Sequence, residues 1–520
     1  MEPGNKESYL MDKITRFERL LEEKGRRIKI YEQSIIERNR TIFFLMRESY
    51  QKKLVLLYPS NEENISDDFE SEEEEGIIEE SWNYKICLCS RENADKLREH
   101  FPFTKPRVIG LTPAIGCGDR IGLATPGHIR AARRFRVFPV LAQQSIREMT
   151  RTARTPRDVL DDASWAVFQE GYRGGFAADA DHLKTEEDVK STFEAGFTMY
   201  TLDPSSFVDD AADNDDLETL REKFSKLPWR DLQCSREEFL DTYLGREFPV
   251  TTEFKVSFTE EGLMRAAVKY SAAIAHVSRL KRLLDRLFKG EKYDLEVSVD
   301  ETESPTKPLE HLFIALELKR LGINIQGLAL RFVGRFEKAV DYIGDLKEFE
   351  ETFRRHVLIA RRFGPYKLSV HSGSDKFSIY PILGRLAGDM IHLKTAGTSY
   401  LESLRIIARH DPNLFREIVN YSLKCFERDR ASYHISTDLS MVPLTDEVPD
   451  GDLERVYLDE DPGRQVLHVT FGSILTAKKD GEWIFRDRIK KLLLDNEDEF
   501  YETISKHIGR HIKMTFSKKI

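Results

Sequence analysis

An aspartate and a histidine stand side by side at Asp181 and His182, in the segment GGFAADADHLKT. A carboxylate next to an imidazole can supply a general base and a metal ligand from one short piece of chain. The apolar residues before the pair predict a strand that ends at it. A solvated loop with a hydrogen-bonded histidine is the alternative interpretation.

A second group of carboxylates lies in the segment YDLEVSVDETES. Strand alternation places Glu296, Ser298 and Asp300 on one face, and Glu301 begins the following loop. Burying a charge costs several kcal/mol unless it is paired or bound to a metal. Carboxylates on such a strand therefore favour a functional role, with a structural ion pair as the alternative.

Two later segments also end in reactive side chains. In LSVHSGSDK, His371 precedes the small residues Ser372 to Ser374, whose N–H groups could bind an anionic substrate or could form a plain turn. In MIHLKTAGTS, His392 and Lys394 share a strand face. The lysine could neutralise a substrate carboxylate or a developing enolate oxygen, and either residue could instead pack inside the fold.

Mixed nitrogen and oxygen ligands are typical of divalent metal sites in proteins. His182 and His371, together with a carboxylate from Asp300 or Glu301, provide such a set. The sequence therefore predicts a divalent cation as cofactor, for which zinc, manganese, nickel and cobalt are candidates.

Guanidinium and amide groups form a further layer of candidate substrate-binding residues. Arg120, Arg147 and Arg331 lie at or just after predicted strand ends, and Gln144 lies in another. A planar guanidinium suits two-point binding of a carboxylate, although each arginine could equally form a salt bridge at the rim of the fold.

Eight apolar segments between residues 107 and 395 carry these polar ends. Strands that alternate with helices predict a parallel sheet, and eight such units predict a closed barrel with its active site at the C-terminal strand ends. The predicted fold is α/β, a (β/α)8 TIM-like barrel with an N-terminal helical extension, an insertion after strand four and a C-terminal appendage. The segments are RVIGLTPAIGCGDR, FPVLAQQSIRE, GGFAADADHLKT, TMYTLDPSS, YDLEVSVDETES, INIQGLALRFVGR, YKLSVHSGSDK and DMIHLKTAGTS.

The predicted domain organisation has three parts. Residues 1–105 hold an N-terminal helix, an acidic loop and a small strand region; residues 106–435 form the catalytic barrel with an insertion at about 204–260; and residues 436–520 form the C-terminal appendage.

Helical spacing of apolar residues predicts one helix from residue 8 to about 57, a second at 261–290 and a third at 486–511. The acid-rich stretch at 60–80 predicts a mobile surface loop because it has few apolar groups to bury. Trp82 to Cys89 predicts a buried strand outside the barrel.

Composition narrows the functional classes. No basic stripe predicts a nucleic-acid partner, no run of 18 apolar residues predicts a membrane span, and the GxGxxG spacing of a nucleotide site is not met by GCGDRIG. Five cysteines match neither a zinc module nor a disulfide framework and favour reduced thiols in the cytoplasm. A small-molecule substrate is expected, and no feature of the sequence specifies an oligomeric state.

Several long segments resemble the tagaturonate epimerase family, whose members interconvert tagaturonate and fructuronate. The resemblance spans roughly residues 110 to 435. It is carried by GDRIGLATPGHIRA, PVLAQQSIREMTRTARTPRDVLDDASWAVFQEG, GFAADADHLKT, VSVDETESPTKPLEH, RFVGRFEKAVDYIGDL, YKLSVHSGSDKFSIYPI and HLKTAGTSYLESLRIIARHDPNLFREI.

The resemblance implies a metal-dependent epimerase that acts at C4 of a 2-ketohexuronate. It implies that Asp181 is the proton acceptor and that His182 and His371 are metal ligands. The DETES segment would supply either a ligand or the acid partner, and we assign Asp300 to the metal and Glu301 to proton donation.

A retro-aldol route is the expected chemistry, because C4 is not adjacent to the carbonyl and simple enolisation cannot invert it. Lys394 or an arginine would hold the substrate carboxylate. Two alternatives remain open: a metal-dependent aldolase or isomerase that acts on a related ketose or sugar acid, and a sugar-acid binding protein without turnover.

Overall fold

The computed structural model describes residues 3–60, 65–71, 74–79, 81–135 and 137–516. The chain begins with helix α1, continues through a small antiparallel sheet and ends its first region in helix α2. The elements are α1 (Pro3–Glu23), β1 (Ile28–Ile30), β2 (Ile36–Arg38), β3 (Thr41–Glu48), β4 (Gln51–Pro59), β5 (Glu74–Glu79), β6 (Trp82–Leu88) and α2 (Arg91–His100).

The prediction of one helix from residue 8 to about 57 is wrong beyond Glu23, because β1 to β4 occupy residues 28–59. Strands β3 and β4 are buried on both faces, since α1 covers one face and the barrel helix that contains Trp165 and Phe168 covers the other. A strand that is buried on both faces gives a continuous apolar run, and periodicity alone does not distinguish such a run from a helix.

The acidic stretch at 60–80 is only partly a loop. Glu74–Glu79 forms β5, which pairs with β6 along the edge of the sheet, and Ile65–Asp68 forms a short 3₁₀ helix. Residues 61–64, 72, 73 and 80 of this stretch lie outside the described residues. The predicted strand at Trp82 to Cys89 is found as β6.

The first four barrel strands alternate with helices, several of which begin with Ser or Thr caps. Thr155 of α5 and Thr185 of α6 both form capping boxes with an aspartate three residues later. The elements are β7 (Ala114–Cys117), α3 (Thr125–Ala132), β8 (Phe138–Ser145), α4 (Ile146–Arg151), α5 (Pro156–Gln169), β9 (Ala177–Leu183), α6 (Glu186–Ala195) and β10 (Met199–Leu202).

An insertion follows β10, as expected from the break in the sequence pattern. It contains α7 (Leu217–Ser225), α8 (Arg236–Tyr243), β11 (Glu247–Pro249) and β12 (Lys255–Ser257). The chain then returns to the barrel through the long helix α9 (Glu260–Phe288), which ends where Lys289 and Gly290 adopt positive φ angles of 50° and 95°.

The second half of the barrel repeats the alternation. Its elements are β13 (Asp294–Val299), α10 (Pro308–Arg320), β14 (Gly327–Leu330), α11 (Leu346–Phe363), β15 (Lys367–Val370), α12 (Tyr380–Ala387), β16 (Ile391–Thr395) and α13 (Thr398–His410).

The eight strands close in the order β7-β8-β9-β10-β13-β14-β15-β16, with β16 paired to β7 and every neighbour parallel. Each strand lies within one of the eight predicted segments. The prediction of an α/β TIM-like barrel is therefore confirmed.

The remaining residues wrap the barrel on the side of β7 and β16. They form α14 (Pro412–Asp429), α15 (Asp461–Val469), α16 (Phe471–Thr476), β17 (Lys478–Lys479), β18 (Glu482–Trp483), α17 (Arg486–Asp495) and α18 (Glu497–Thr515). Helix α18 packs along α3, α12 and α13. Gly127 of α3 permits this close approach, because a Cβ atom there would lie 2.6 Å from Cβ of Ile504.

The barrel strands separate apolar from polar side chains. On β13, Leu295, Val297 and Val299 join the apolar core under the helices, whereas Glu296 and Ser298 point into the barrel and contact residues from other strands. The interior of this barrel is therefore charged, and its side chains must satisfy one another or a ligand.

Among the described residues, no helix combines the length and the apolar composition needed to cross a membrane. All five cysteines are free thiols.

Candidate active site

Asp181 and His182 project into the same cavity although they are consecutive residues of a strand. Normal alternation would send them to opposite faces. His182 instead has a φ angle of 54°, and the register between β9 and β10 shifts at this point. Such left-handed backbone is costly for a residue with a Cβ atom and is found mainly at functional sites.

The imidazoles of His182 and His371 face each other across the cavity. Nε2 of His182 lies 3.1 Å from Nδ1 of His371, and the two rings are inclined at 75°. His371 follows directly after β15, so the barrel brings together two residues that are far apart along the chain.

A buried carboxylate stands behind each imidazole. Nδ1 of His182 donates to Asp203 Oδ2 at 3.0 Å, and Nε2 of His371 donates to Glu296 Oε1 at 2.8 Å. When both rings are neutral, as metal ligands are, these bonds place the protons on the outer nitrogens and leave the lone pairs of the two inner nitrogens pointing at each other. A cation between them would remove the repulsion, and this carboxylate–histidine arrangement is common behind metal ligands.

Two more carboxylates complete the cluster. Oδ1 of Asp181 lies 3.9 Å from Nε2 of His182, and Oδ1 of Asp300 lies 3.3 Å from Nδ1 of His371. Oxygens and nitrogens of Asp181, His182 and His371 are mutually close enough to bind one ion. The donor set suits a divalent cation that takes mixed ligands.

Lys394 lies below this cluster and is almost fully buried. Its ammonium group is 2.8 Å from each of three carboxylates, those of Asp179, Asp181 and Glu296, and donates to Thr201 Oγ1 at 2.9 Å. A lysine surrounded in this way is not free to hold a substrate carboxylate. It instead orients Asp181 and offsets part of the buried negative charge.

His392 lies deeper still, with no exposed surface, and its Nδ1 is 3.4 Å from Glu296 Oε2. Burial lowers the pKa of His392 to about 4, so the ring is neutral. Of the pair His392 and Lys394, the histidine packs inside the barrel and the lysine reaches the cavity.

Electrostatics explain how these charges coexist. Burial alone would raise the pKa of Asp181, but the Lys394 ammonium and the two imidazoles lower it below its usual value. For His182, burial opposes protonation, while the carboxylates of Asp181 and Asp203 raise the pKa to about 10. The cluster therefore has a strong preference for positive charge between the two rings.

The candidate arginines surround the cavity. Arg120, Arg147 and Arg331 all line it. Arg120 donates from Nε to Glu148 Oε1 at 3.0 Å, and the nearest carboxylate to Arg147 is Glu301, at 3.6 Å.

Glu301 lies on the rim, a third of its side chain exposed. Besides Arg147 it contacts Lys184, with Nζ of Lys184 3.3 Å from Glu301 Oε2. Ser372, the residue after His371, also lines the cavity and has a φ angle of 50°.

Gln144 does not line the cavity. Its side chain lies near Arg154, whereas the neighbouring Gln143 points inward and donates to Asp181 Oδ2 at 3.0 Å. The register between β8 and β9 shifts between Val140 and Ala142, which reverses the parity expected from simple alternation. Among the two glutamines, Gln143 is therefore the one placed to meet a substrate.

Three residues of the site have no role in the interpretation of the sequence, namely Asp203, Gln143 and Lys338, and a fourth, Glu296, appears there only among the carboxylates of its strand. Asp203 and Glu296 orient the histidines, Gln143 contacts Asp181, and Lys338 enters the cavity from the loop after β14. Asp203 and Glu296 carried a signal, since both are acids within predicted strands. Lys338 carried none, because it lies eight residues beyond the end of β14 at Leu330.

The cavity has a volume of about 270 Å³ and opens at the C-terminal ends of the barrel strands. An α/β barrel with reactive side chains converging at this mouth defines an enzyme, with its active site in the usual place for the fold.

The family model for tagaturonate epimerase matches residues 31–515. A curated relative, the tagaturonate/fructuronate epimerase of Thermotoga maritima, is 46% identical over 491 residues, which is 94% of this chain and 97% of the relative. Two crystal structures of the fructuronate-tagaturonate epimerase of Cohnella laeviribosi are similar. The glycerol complex has a TM-score of 0.88 and the native form 0.86, each at 38% identity and covering 97% of this chain and 99% of the other.

The chain therefore belongs to the tagaturonate epimerase family, and the resemblance inferred from the sequence segments is confirmed. It is an enzyme of the isomerase class, a carbohydrate epimerase.

Proposed function

We propose that this enzyme interconverts D-tagaturonate and D-fructuronate by inverting C4, with a divalent cation held between His182 and His371. The observation that carries the proposal is the pair of imidazole nitrogens 3.1 Å apart, each ring backed by a buried carboxylate, in a cavity that also holds Asp181 and Asp300. The names of the relatives supply the substrates.

Asp300 completes the proposed ligand set, and Asp181 exchanges the proton. When bound, the cation supplies electrostatic stabilisation for negative charge that develops on substrate oxygens. The two donors to Asp181, Lys394 and Gln143, hold its carboxylate in one orientation at the cavity floor. Such a carboxylate accepts a proton from a hydroxyl that is acidified by nearby positive charge.

The retro-aldol route breaks the C3–C4 bond and forms it again with the opposite configuration at C4. Asp181 takes the proton of the C4 hydroxyl while the C3–C4 bond breaks, which leaves an aldehyde at C4 and the electron pair on the three-carbon fragment as an enediolate. A half-turn of the aldehyde presents its other face. The bond then forms again, and Asp181 returns the proton to the new C4 oxygen.

Substitution separates the two roles of the carboxylates. Asp300→Asn is expected to release the cation, whereas Asp181→Asn is expected to keep it and to lower kcat by about 10²- to 10⁴-fold, the usual contribution of a proton-transfer residue. Metal content of the purified variants and kcat on D-fructuronate are the measurements. Retention of the ion in Asp300→Asn together with its loss in Asp181→Asn would exchange the two assignments.

Glu301 is the proposed acid partner: it would donate a proton to the developing enediolate oxygen while the C3–C4 bond breaks and would take it back when the bond forms again. Under that role Glu301→Gln lowers kcat by about 10²-fold or more. A change of less than about threefold would show instead that its carboxylate only pairs with Arg147 and Lys184 on the rim.

The metal requirement is tested with chelator-treated protein that is reconstituted with zinc, manganese, nickel or cobalt ions separately and assayed on D-fructuronate. We expect turnover to return with at least one of these ions. The expected product is D-tagaturonate. Lasting three-carbon products would indicate an aldolase, and undiminished turnover after complete removal of metal would refute the metal-dependent route.

A further inference from the structure

Lys338 extends into the active-site cavity from the loop that follows β14. Its Nζ donates to the hydroxyl of Ser372 at 2.6 Å, and Ser372 is the neighbour of His371. Within the part of the chain that the structure describes, no carboxylate oxygen lies within 4.0 Å of this ammonium group. Lys394, by contrast, is enclosed by three carboxylates.

Charges of both signs act on Lys338. Burial and the nearby Arg147 lower its pKa, whereas the carboxylates of Glu148, Asp300 and Glu301, which lie beyond 4.0 Å, raise it. Nη1 of Arg120 is buried and lacks a hydrogen-bond partner among the described residues, as does Nδ1 of His468 on the same wall. This side of the cavity therefore holds buried polar atoms without a hydrogen-bond partner among the described residues, in addition to the Lys338 ammonium group.

The backbone that presents Lys338 is held in place from several sides. Gln465 Nε2 donates to the carbonyl of Lys338 at 3.2 Å, and Arg464 Nε donates to that of Ala339 at 2.9 Å. Nζ of the fully buried Lys376 donates to two further carbonyls of the same loop, at 2.9 and 2.5 Å. A long, flexible side chain is thus presented on a rigid loop, which lowers the entropy cost of binding a ligand through it.

A cation in a partly dehydrated cavity, with a single neutral acceptor, is poorly compensated unless an anion binds beside it. The proposed substrate carries one carboxylate, at C6, beyond the carbons at which bonds change. We propose that Lys338, assisted by Arg147, binds this carboxylate and makes the enzyme select ketohexuronates over neutral ketohexoses. This inference rests on the proposed function and identifies the residue that determines specificity within the same site.

The test compares two substrates in Lys338→Met holoenzyme: D-fructuronate and D-fructose, which has a hydroxymethyl group in place of the carboxylate. Loss of one charged hydrogen bond is expected to lower kcat/KM for D-fructuronate by about 10- to 100-fold. The value for D-fructose should change by less than about threefold. If turnover of D-fructose is too slow to measure, the inhibition constant of D-fructose against D-fructuronate turnover is measured instead of kcat/KM.

Arg335→Met is the matched control, because Arg335 lies on the same loop, three residues away, with 60% of its side chain exposed. This substitution should leave kcat/KM unchanged for both substrates. Lys338→Arg should recover part of the loss with D-fructuronate. Metal content and melting temperature equal to the wild type establish that Lys338→Met is folded and loaded.

An equal loss on both substrates would overturn the proposal, since a nucleophilic or purely structural lysine would act regardless of the carboxylate. Unchanged kcat/KM for D-fructuronate would overturn it as well. Failure of the proposed function is distinguishable from both outcomes, because wild-type holoenzyme would then not epimerise D-fructuronate at all.

Discussion

Among the residues that the structure describes, two clusters contain two histidines and an aspartate within reach of one ion: Asp181, His182 and His371 in the barrel mouth, and Asp375, His507 and His511 between the barrel and α18. The two clusters have the same residue types and similar interatomic distances. They differ in the hydrogen bonds that the ring nitrogens make, and this difference is why we propose a metal in the first cluster and not in the second.

In the second cluster the lone pairs are already used. His511 donates from Nδ1 to the carbonyl of His507 at 2.9 Å and accepts the backbone N–H of Asp375 at Nε2, at 3.0 Å. His507 lies between the carboxylates of Asp375 and Glu402, which raise its pKa against the effect of burial. Arg464, 2.9 Å from Asp375, supplies the positive charge that an ion would bring.

The second cluster borders a cleft of about 560 Å³, larger than the active-site cavity, in which Arg405 and Arg409 are paired with acids. Size therefore does not identify the reactive site in this protein. The second cluster is a buried ion-pair network that attaches α18 to the loop after β15, whereas the first is the cluster that we propose to hold a cation.

The largest effect is expected from removing a ligand of the barrel cluster. His371→Ala should lower kcat/KM by about 10³-fold or more, because several kcal/mol of metal stabilisation are lost and each 1.36 kcal/mol is tenfold in rate. His507→Ala is the matched change in the other cluster and should retain the ion. Metal content and steady-state kinetics of both variants are the measurements; equal metal loss in both would erase the distinction between the clusters.

A large change in stability is expected at the second cluster. Asp375→Asn leaves Arg464 buried without its ion-pair partner and should lower the free energy of unfolding by about 3–5 kcal/mol. Metal content should stay at the wild-type value. Glu417→Gln, which breaks an exposed pair with Arg488, should cost less than about 1 kcal/mol. Denaturant unfolding compares the two, and similar costs would mean that the Asp375 network contributes little.

A smaller effect on metal binding is expected from substituting a carboxylate that accepts a hydrogen bond from a proposed histidine ligand. Asp203→Asn keeps a hydrogen-bond acceptor near Nδ1 of His182 but removes the charge, and should weaken metal affinity by about 10- to 100-fold. Glu402→Gln, behind His507, should leave metal affinity unchanged. Competition titrations with a chelator give both constants. Unaltered affinity in Asp203→Asn would show that the carboxylate does not act through His182.

The fold was largely predictable because the barrel strands are short apolar runs that end in polar residues. This pattern can be recognised within each short segment of the sequence. The convergence of Asp181, His182 and His371 followed from the rule that parallel strands share one C-terminal edge. The N-terminal sheet was not predictable in the same way, since strands buried on both faces give an apolar run that also suits a helix.

The errors within the site have the same kind of cause. The inward position of Gln143 in place of Gln144 depends on a register shift in β8, and the second inward residue at His182 depends on a positive φ angle. Neither is encoded in residue type. Lys338 is placed by contacts from Gln465, Arg464 and Lys376, which are distant in sequence, so nothing near it indicates its role.

The most direct test of the central claim is an anomalous difference map from crystals of the metal-reconstituted enzyme, recorded above the absorption edge of the bound ion. We expect one strong peak at about 2.0–2.2 Å from both His182 Nε2 and His371 Nδ1, and no peak between His507 and His511. A peak at the second cluster, or an active enzyme with no peak between His182 and His371, would contradict it.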